Sequence, residues 1–95
     1  MTDLEHEHIR HSPEGGQALQ DYLKAVGKKG ALDVKTRELL MTALACVQGC
    51  PYCTELHIGK ARAAGASKEE VGEALLIAAL EGAETQLAWW KDIHA

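Results

Sequence analysis

Between Leu39 and Val47 the chain offers almost nothing but apolar side chains: Leu39, Leu40, Met41, Ala43, Leu44, Ala45, Cys46 and Val47. A helix that is apolar on every side has to be buried. Asp33, a capping residue type, precedes the segment and Gln48-Gly49 breaks it, so the pattern predicts a helix over Val34–Val47. In 95 residues there is little to cover it. That length makes one domain, and a domain of that size buries about 60–65% of the surface of its unfolded chain. Hydrophobic residues are 46% of the total, yet they include no Phe, two Trp and two Tyr. Small apolar side chains suit close helix packing, and part of the apolar surface is expected to be buried between subunits.

Caps and breakers set the other elements. Ser12-Pro13-Glu14 is a helix start, with a cap residue, Pro at the first helical position and an acid in the first turn. Ala18, Leu19, Tyr22, Leu23 and Val26 follow at helical spacing, and Gly27 and Gly30 end the helix. Pro51 opens a helix to about Ala64, with Gly65 where a left-handed residue is wanted. Ser67-Lys68-Glu69-Glu70 reads as a capping box that opens a helix to about Leu80. Gly82 is expected to punctuate, leaving a short last helix over Ala83–Ile93. No segment alternates as a strand does. The expectation is an all-α single domain of about five helices over residues 12–95, preceded by a mobile arm over residues 1–11. His6, His8 and His11 in that arm have a spacing that suits a metal, but a solvated tail gives them no fixed geometry.

The net charge is −4, and no basic stripe appears, which argues against a nucleic-acid surface. Met1 to His11 is polar and charged, unlike a secretory signal. The longest strongly apolar run, Ala74 to Leu80, falls far short of the roughly 18 residues of a membrane span. A soluble cytoplasmic protein is expected. In that compartment two cysteines three apart serve catalysis or metal binding more often than structure.

Cys50-Pro51-Tyr52-Cys53, with His57 four residues on, is such a pair. On a helix that starts at Pro51 the three side chains share a stripe, because helix neighbours lie at i+3 and i+4. Cys50 takes the N-cap, where free N–H groups and the helix dipole favour a thiolate. His57 can take a proton from Cys53 one turn away. A nucleophilic sulfur, a resolving sulfur and a base are what disulfide exchange or peroxide reduction requires. Glu38 is a fourth candidate. The helices flanking Gln48-Gly49 are joined by a short turn and should run antiparallel. Glu38 then lies roughly 16 Å and His57 roughly 12 Å from the turn, nearly level. Glu38 could accept the His57 N–H and fix its tautomer, as the orienting carboxylate of a triad does. Taken alone, Glu38 reads more simply as a solvated acid in a first helical turn.

The stretch Gly30-Ala31-Leu32-Asp33, Arg37-Glu38-Leu39-Leu40, Gly49-Cys50-Pro51-Tyr52-Cys53, His57, Ala61, Gly65 through Val71 and Glu73-Ala74 resembles the core of the carboxymuconolactone decarboxylase superfamily. Within it, the chain resembles the alkylhydroperoxidase D branch. The resemblance covers roughly Gly30 to Leu80, and the acid, both cysteines and the histidine fall at that branch's spacing. It implies an all-helical homo-oligomer, commonly a trimer or hexamer. It also implies a thiol–disulfide redox enzyme of alkylhydroperoxidase or peroxiredoxin type that uses no cofactor and no metal. In that scheme Cys53, served by His57 and Glu38, meets peroxide, and Cys50 resolves the disulfide. The partners it implies are a hydroperoxide or disulfide substrate and a thiol reductant, lipoyl-protein or thioredoxin-like. The helix-start argument points instead to Cys50 as the more acidic thiol. The better-known peroxidase members carry a histidine between the cysteines where this chain has Tyr52, so the resemblance carries disulfide chemistry further than peroxide reduction. The chain is also shorter than two-repeat members, so one core unit is expected to complete its packing with a partner subunit.

Three rival readings remain in view. Cys-Pro-Tyr-Cys is the glutaredoxin tetrapeptide, but that fold needs a preceding strand and a later cis-proline. Here the preceding pattern is helical, and the only prolines are Pro13 and Pro51. Lactone decarboxylation is the superfamily's other activity, and its enzymes generally lack the cysteine pair. A non-enzymatic scaffold or metal site from Cys46, Cys50, Cys53 and His57 would stretch over about 16 Å of helix, too far for one ion. Cys46 reads as a small buried hydrophobe, and Trp89-Trp90 as packing, a pocket wall or an interface.

Overall fold

The structure, a computed structural model, describes residues 11–28 and 30–94, and the side chains of those as far as Ala88. The arm up to Arg10 and the side chains of Trp89 and Trp90 lie outside the described residues. Four helices form among the described residues, with no strand: α1 Pro13–Gly27, α2 Val34–Val47, α3 Pro51–Ala63 and α4 Lys68–His94. None is long and apolar enough to cross a membrane. The chain falls into two compact units, the first ending at Ala31 and the second beginning at Leu32.

The first unit holds α1. Pro13 occupies its first turn, and Ser12 precedes it without a side-chain cap. The Gly16 N–H instead donates to the Ser12 carbonyl at 2.6 Å. The apolar stripe expected on this helix forms, but Tyr22 and Val26 on it are exposed.

The second unit is built by α2, α3 and α4. Asp33 caps α2 as expected, its Oδ1 accepting from the Thr36 N–H at 2.7 Å. The turn from α2 into α3 is a closed hydrogen-bond motif. The Gly49 N–H donates to the Cys46 carbonyl and the Cys50 N–H to the Ala45 carbonyl, both at 3.1 Å. This pairing terminates a helix when the residue after the cap is left-handed, and Gly49 has φ +72°. Cys50 therefore closes one helix with its N–H and starts the next. The end of α3 repeats the motif. Gly65, at φ +100°, donates to the Arg62 carbonyl at 3.0 Å, and the Ala66 N–H donates to Ala61 at 2.9 Å. Ala61 and Ala66 are buried and, with Val71, form the core, against which Leu39, Ile58 and Leu75 pack.

A side chain at Gly49 would meet nothing within 4 Å, so its cost is one of backbone alone. Gly49→Ala should destabilise by about 1–2 kcal/mol, the penalty for an L-residue in that region. Urea midpoints measure it, and an unchanged midpoint would mean that the turn relaxes freely.

The capping box before α4 forms in both directions. The Glu70 N–H donates to Ser67 Oγ at 3.0 Å and the Ser67 N–H donates to Glu70 Oε1 at 2.8 Å. Lys35 Nζ reaches Glu70 Oε2 at 2.9 Å and ties the start of α2 to the start of α4. The Glu70 carboxyl is held below the usual carboxylate range, first by the Ser67 N–H and then by the Lys35 ammonium. Lys35 is raised above the usual lysine range by the same partner. A carboxyl lowered by folding stabilises above its unfolded pKa of about 4.3. That stabilisation is lost as pH falls through the folded value. The lysine's share is complete below about 10.4 and is lost as pH rises through its raised folded value. Acid titration followed by circular dichroism should show the parent losing more stability below about pH 4 than Glu70→Gln does. Parallel curves would refute the coupling. Both groups are solvated, so the effect is small.

The last two helices expected from the sequence are one. α4 runs unbroken through Gly82 for 27 residues. Glycine in a helix interior costs about 1 kcal/mol relative to Ala, which is not enough to end a helix without a proline or a left-handed residue. Gly82 is not among the positive-φ glycines. Ala, Leu and Glu flank it, and Thr85 Oγ1 donates across it to the Glu81 carbonyl at 3.0 Å.

The all-round burial expected for α2 is met on one face of the single chain. Glu38 and Thr42 are buried, whereas Leu40, Leu44 and Val47 are exposed, as are Leu76, Ile77 and Leu80 on α4.

Candidate functional site

The site grows from the α2–α3 hairpin. Cys50, at the α3 N-cap, has extended backbone, and its sulfur accepts from the Cys53 N–H at 3.2 Å. The Cys50 carbonyl takes the Thr54 N–H at 2.9 Å and Thr54 Oγ1 at 2.8 Å. Three hydrogen bonds thus lock the residue that begins the helix. Cys50 and Cys53 are joined by a disulfide, with Cα atoms 5.3 Å apart. One helical turn past Cys53, His57 points its Nδ1 at Glu38 Oε1, 3.0 Å away on α2. The antiparallel pairing thus brings together the two residues expected to lie level.

This pair is enclosed: the Glu38 side chain is 8% exposed and that of His57 13%. A buried carboxylate needs a partner, and His57 supplies it. An ionised Glu38 can accept but not donate. Against that carboxylate the Nδ1–H of His57 is the donor, and in the neutral ring Nε2 keeps a lone pair. The solvated first-turn reading of Glu38 does not hold, since α2 turns that residue toward α3. Thr42, fully buried, supports it from the next turn, where its Oγ1 donates to the Glu38 carbonyl at 2.8 Å. Sequence reasoning missed Thr42 and Thr54. A threonine four residues after Glu38, and another four after Cys50, was the available signal.

Cys46 departs from expectation. It is exposed and free, because it sits in the last turn of α2, where the chain swings away into α3. It lines an open groove of about 390 Å³ with Gly49, Cys50, Pro51, Thr54, Glu55 and Ile58. Cys53 is not in that wall. Among the described residues no three His, Cys, Asp or Glu side chains converge as metal ligands.

An all-α hairpin carrying a cysteine pair at a helix start and a buried Glu–His pair beside it defines the class. The chain belongs to the carboxymuconolactone decarboxylase family, whose profile matches residues 13–91. The resemblance read from the sequence is thereby borne out at family level. An uncharacterized protein of the cox locus of Paracoccus denitrificans is 40% identical over 75 residues, covering 75% of this chain and 68% of that one. An uncharacterized protein of Cupriavidus necator is 34% identical over 65 residues, covering 68% of this chain and 58% of its own length. A crystal structure of a protein from Methanobacterium thermoautotrophicum shares the fold, with a TM-score of 0.84 at 26% identity, over 92% of this chain and 98% of that one.

Proposed function

We propose that the chain is a thiol–disulfide oxidoreductase that reduces hydroperoxides, with Cys53 as the attacking sulfur, Cys50 as the resolving one, and Glu38–His57 as the proton relay. The observation that carries the reading is the 3.0 Å Glu38–His57 hydrogen bond, one helical turn from a disulfide at a helix start. His57 Nε2 takes the Cys53 proton. The thiolate attacks the terminal oxygen of the peroxide, the O–O bond breaks, and the proton returns to the departing alkoxide as alcohol. Cys53 is then a sulfenic acid. The Cys50 thiol displaces its oxygen as water and closes the disulfide. A thiol reductant later restores both thiols.

The physical support for Cys53 is the base on its own helix face, since general base assistance is worth about 10²–10⁴ in rate. The support for Cys50 as resolving sulfur is its N-cap seat, where the Cys53 N–H holds it in bonding range. We place the reaction in a cytoplasmic, reducing setting, where a thiol reductant is at hand. The reading extends to a homo-oligomer, a trimer or hexamer, because the apolar faces of α2 and α4 are exposed in the chain.

Thiol titration of the reduced protein with and without one equivalent of peroxide tests this. Two thiols should be lost per peroxide, with a loss of two hydrogens mapped to the peptide holding Cys50 and Cys53, and Cys46 should stay free. Thiols that survive peroxide, or that pair between chains, would sink the redox reading.

A further inference from the structure

We propose that Thr42 is a positioning residue of the proton relay, its hydroxyl holding the turn of α2 from which Glu38 reaches His57; this rests on the redox reading above. Among the described residues the buried polar side chains are Glu38 and Thr42, and the two share one helical turn. Thr42 is 0% exposed and is the largest fully buried side chain. Its Oγ1 donates to the Glu38 carbonyl at 2.8 Å, while Glu38 Oε1 meets His57 Nδ1 at 3.0 Å. Thr42 thus grips the backbone of the residue whose carboxylate orients the base.

Stability alone does not account for a threonine there. A buried hydroxyl gives up its water, and the bond made in return goes to a carbonyl that the helix ladder already serves. Leu39, Leu40, Met41, Ala43 and Leu44 surround it in the sequence, and valine would fill the same space without a polar atom. A position that breaks the local rule is where function is expected. The hydroxyl acts on geometry. Bonded back to the carbonyl four residues earlier, it bends a helix at that turn. Helical side chains lean toward the N-terminus, so Thr42 lies over the turn that Glu38 begins. Glu38 carries its carboxylate at the end of a flexible chain rooted in that turn, and a small rotation of the backbone shifts Oε1 against the imidazole. The same bond recurs in the site, where Thr54 Oγ1 donates to the Cys50 carbonyl at 2.8 Å. A third, from Thr85 to Glu81 on α4, is exposed.

Two variants separate position from packing. Thr42→Val keeps the shape and removes the hydroxyl; Thr42→Ser keeps the hydroxyl and removes a buried methyl group. Thr42→Val should melt at or above the parent, because a buried polar atom is gone. Cys53 of the reduced variant should nevertheless alkylate about tenfold more slowly at neutral pH, within the roughly 10²-fold that a 1 Å misplacement can cost. Its rate–pH profile should move to higher pH. Thr42→Ser should melt below the parent, because a cavity opens, and keep the parent's rate and profile. A Cys53 rate that follows melting temperature through the two variants, or that is unchanged in Thr42→Val, overturns the proposal. Thr85→Val, which removes the exposed bond, should leave the profile unmoved, and a shift of equal size there overturns the proposal as well.

The ring nitrogen resonances of His57 separate this outcome from failure of the redox reading. The Nδ1–H form should dominate in the parent and in Thr42→Ser, and should give way to a mixture of tautomers in Thr42→Val. The same form equally dominant in all three overturns the proposal. If the tautomers behave as expected while parent Cys53 meets peroxide no faster than a free thiol does, the redox reading fails and the positioning role of Thr42 stands.

Discussion

Replacing His57 by Ala should slow the reaction of Cys53 with peroxide, and with a small alkylating agent near neutral pH, by about 10²–10⁴. The bond from His57 to Glu38 is the reason. With Nδ1 committed to a buried carboxylate, the ring cannot rotate, and one nitrogen is left to serve the sulfur a turn away. Glu38→Gln keeps the shape and can still accept the His57 N–H through its amide oxygen, so the fold should survive. The negative charge that opposes the imidazolium formed in the step is lost, and the rate should fall with it. Cys53→Ser should abolish turnover. Cys50→Ser should allow one reaction and then stall at the sulfenic acid for want of a resolving thiol. Alkylation rates against pH decide between a relay and a structural pair. An unshifted Cys53 profile in both Glu38→Gln and His57→Ala would mean that the hydrogen bond serves folding alone. A faster, more acidic Cys50 would exchange the roles of the two sulfurs.

The second large effect concerns assembly. Light scattering at micromolar concentration should give a multiple of the 10.3 kDa chain mass. Leu40, Leu44 and Val47 on α2, with Leu76, Ile77 and Leu80 on α4, are all exposed. Burying one leucine side chain is worth about 1.5–3 kcal/mol, and the buried apolar core among the described residues is Ala61, Ala66 and Val71. A core of that size does not account for a stable isolated fold. Leu44→Glu combined with Leu76→Glu should dissociate the assembly and lower the melting temperature, because both effects arise from the same uncovered surface. A well-folded particle of single-chain mass, for parent and variant alike, would contradict this.

Elements set by local chemistry were legible in the sequence. The Asp33 cap, the Pro51 start, the left-handed Gly65 and the Ser67–Glu70 box are decided within four residues of chain, and each is found where its residues put it. Gly82 misled because its effect is not local in the same sense. A glycine ends a helix when the chain needs a positive φ there, and α4 has no such need. The level placement of Glu38 and His57 could be computed because a tight turn fixes the register of two antiparallel helices. The burial of Cys46 could not, since its exposure depends on how the α2 terminus diverges from α3. Thr42 was hidden for a similar reason. A threonine among leucines reads as a minor polar interruption, and its bond to the Glu38 carbonyl follows from the face that α2 turns inward.

The double duty of Cys50 has a thermodynamic consequence. A cross-link stabilises a protein by restricting its unfolded chain, and the effect grows with the length of loop it closes. Here the bridge spans residues three apart, so it removes little freedom, worth about 2 kcal/mol by loop closure against about 4.7 for a hundred-residue loop. The turn and the helix start are held by backbone hydrogen bonds that do not involve the S–S bond. At about 4–8 °C per kcal/mol for a domain of this size, the oxidised form should melt about 8–16 °C above the reduced one. The backbone hydrogen bonds of the turn and the helix start should persist in both forms, so the redox cycle changes the stability of the hairpin and leaves its architecture in place.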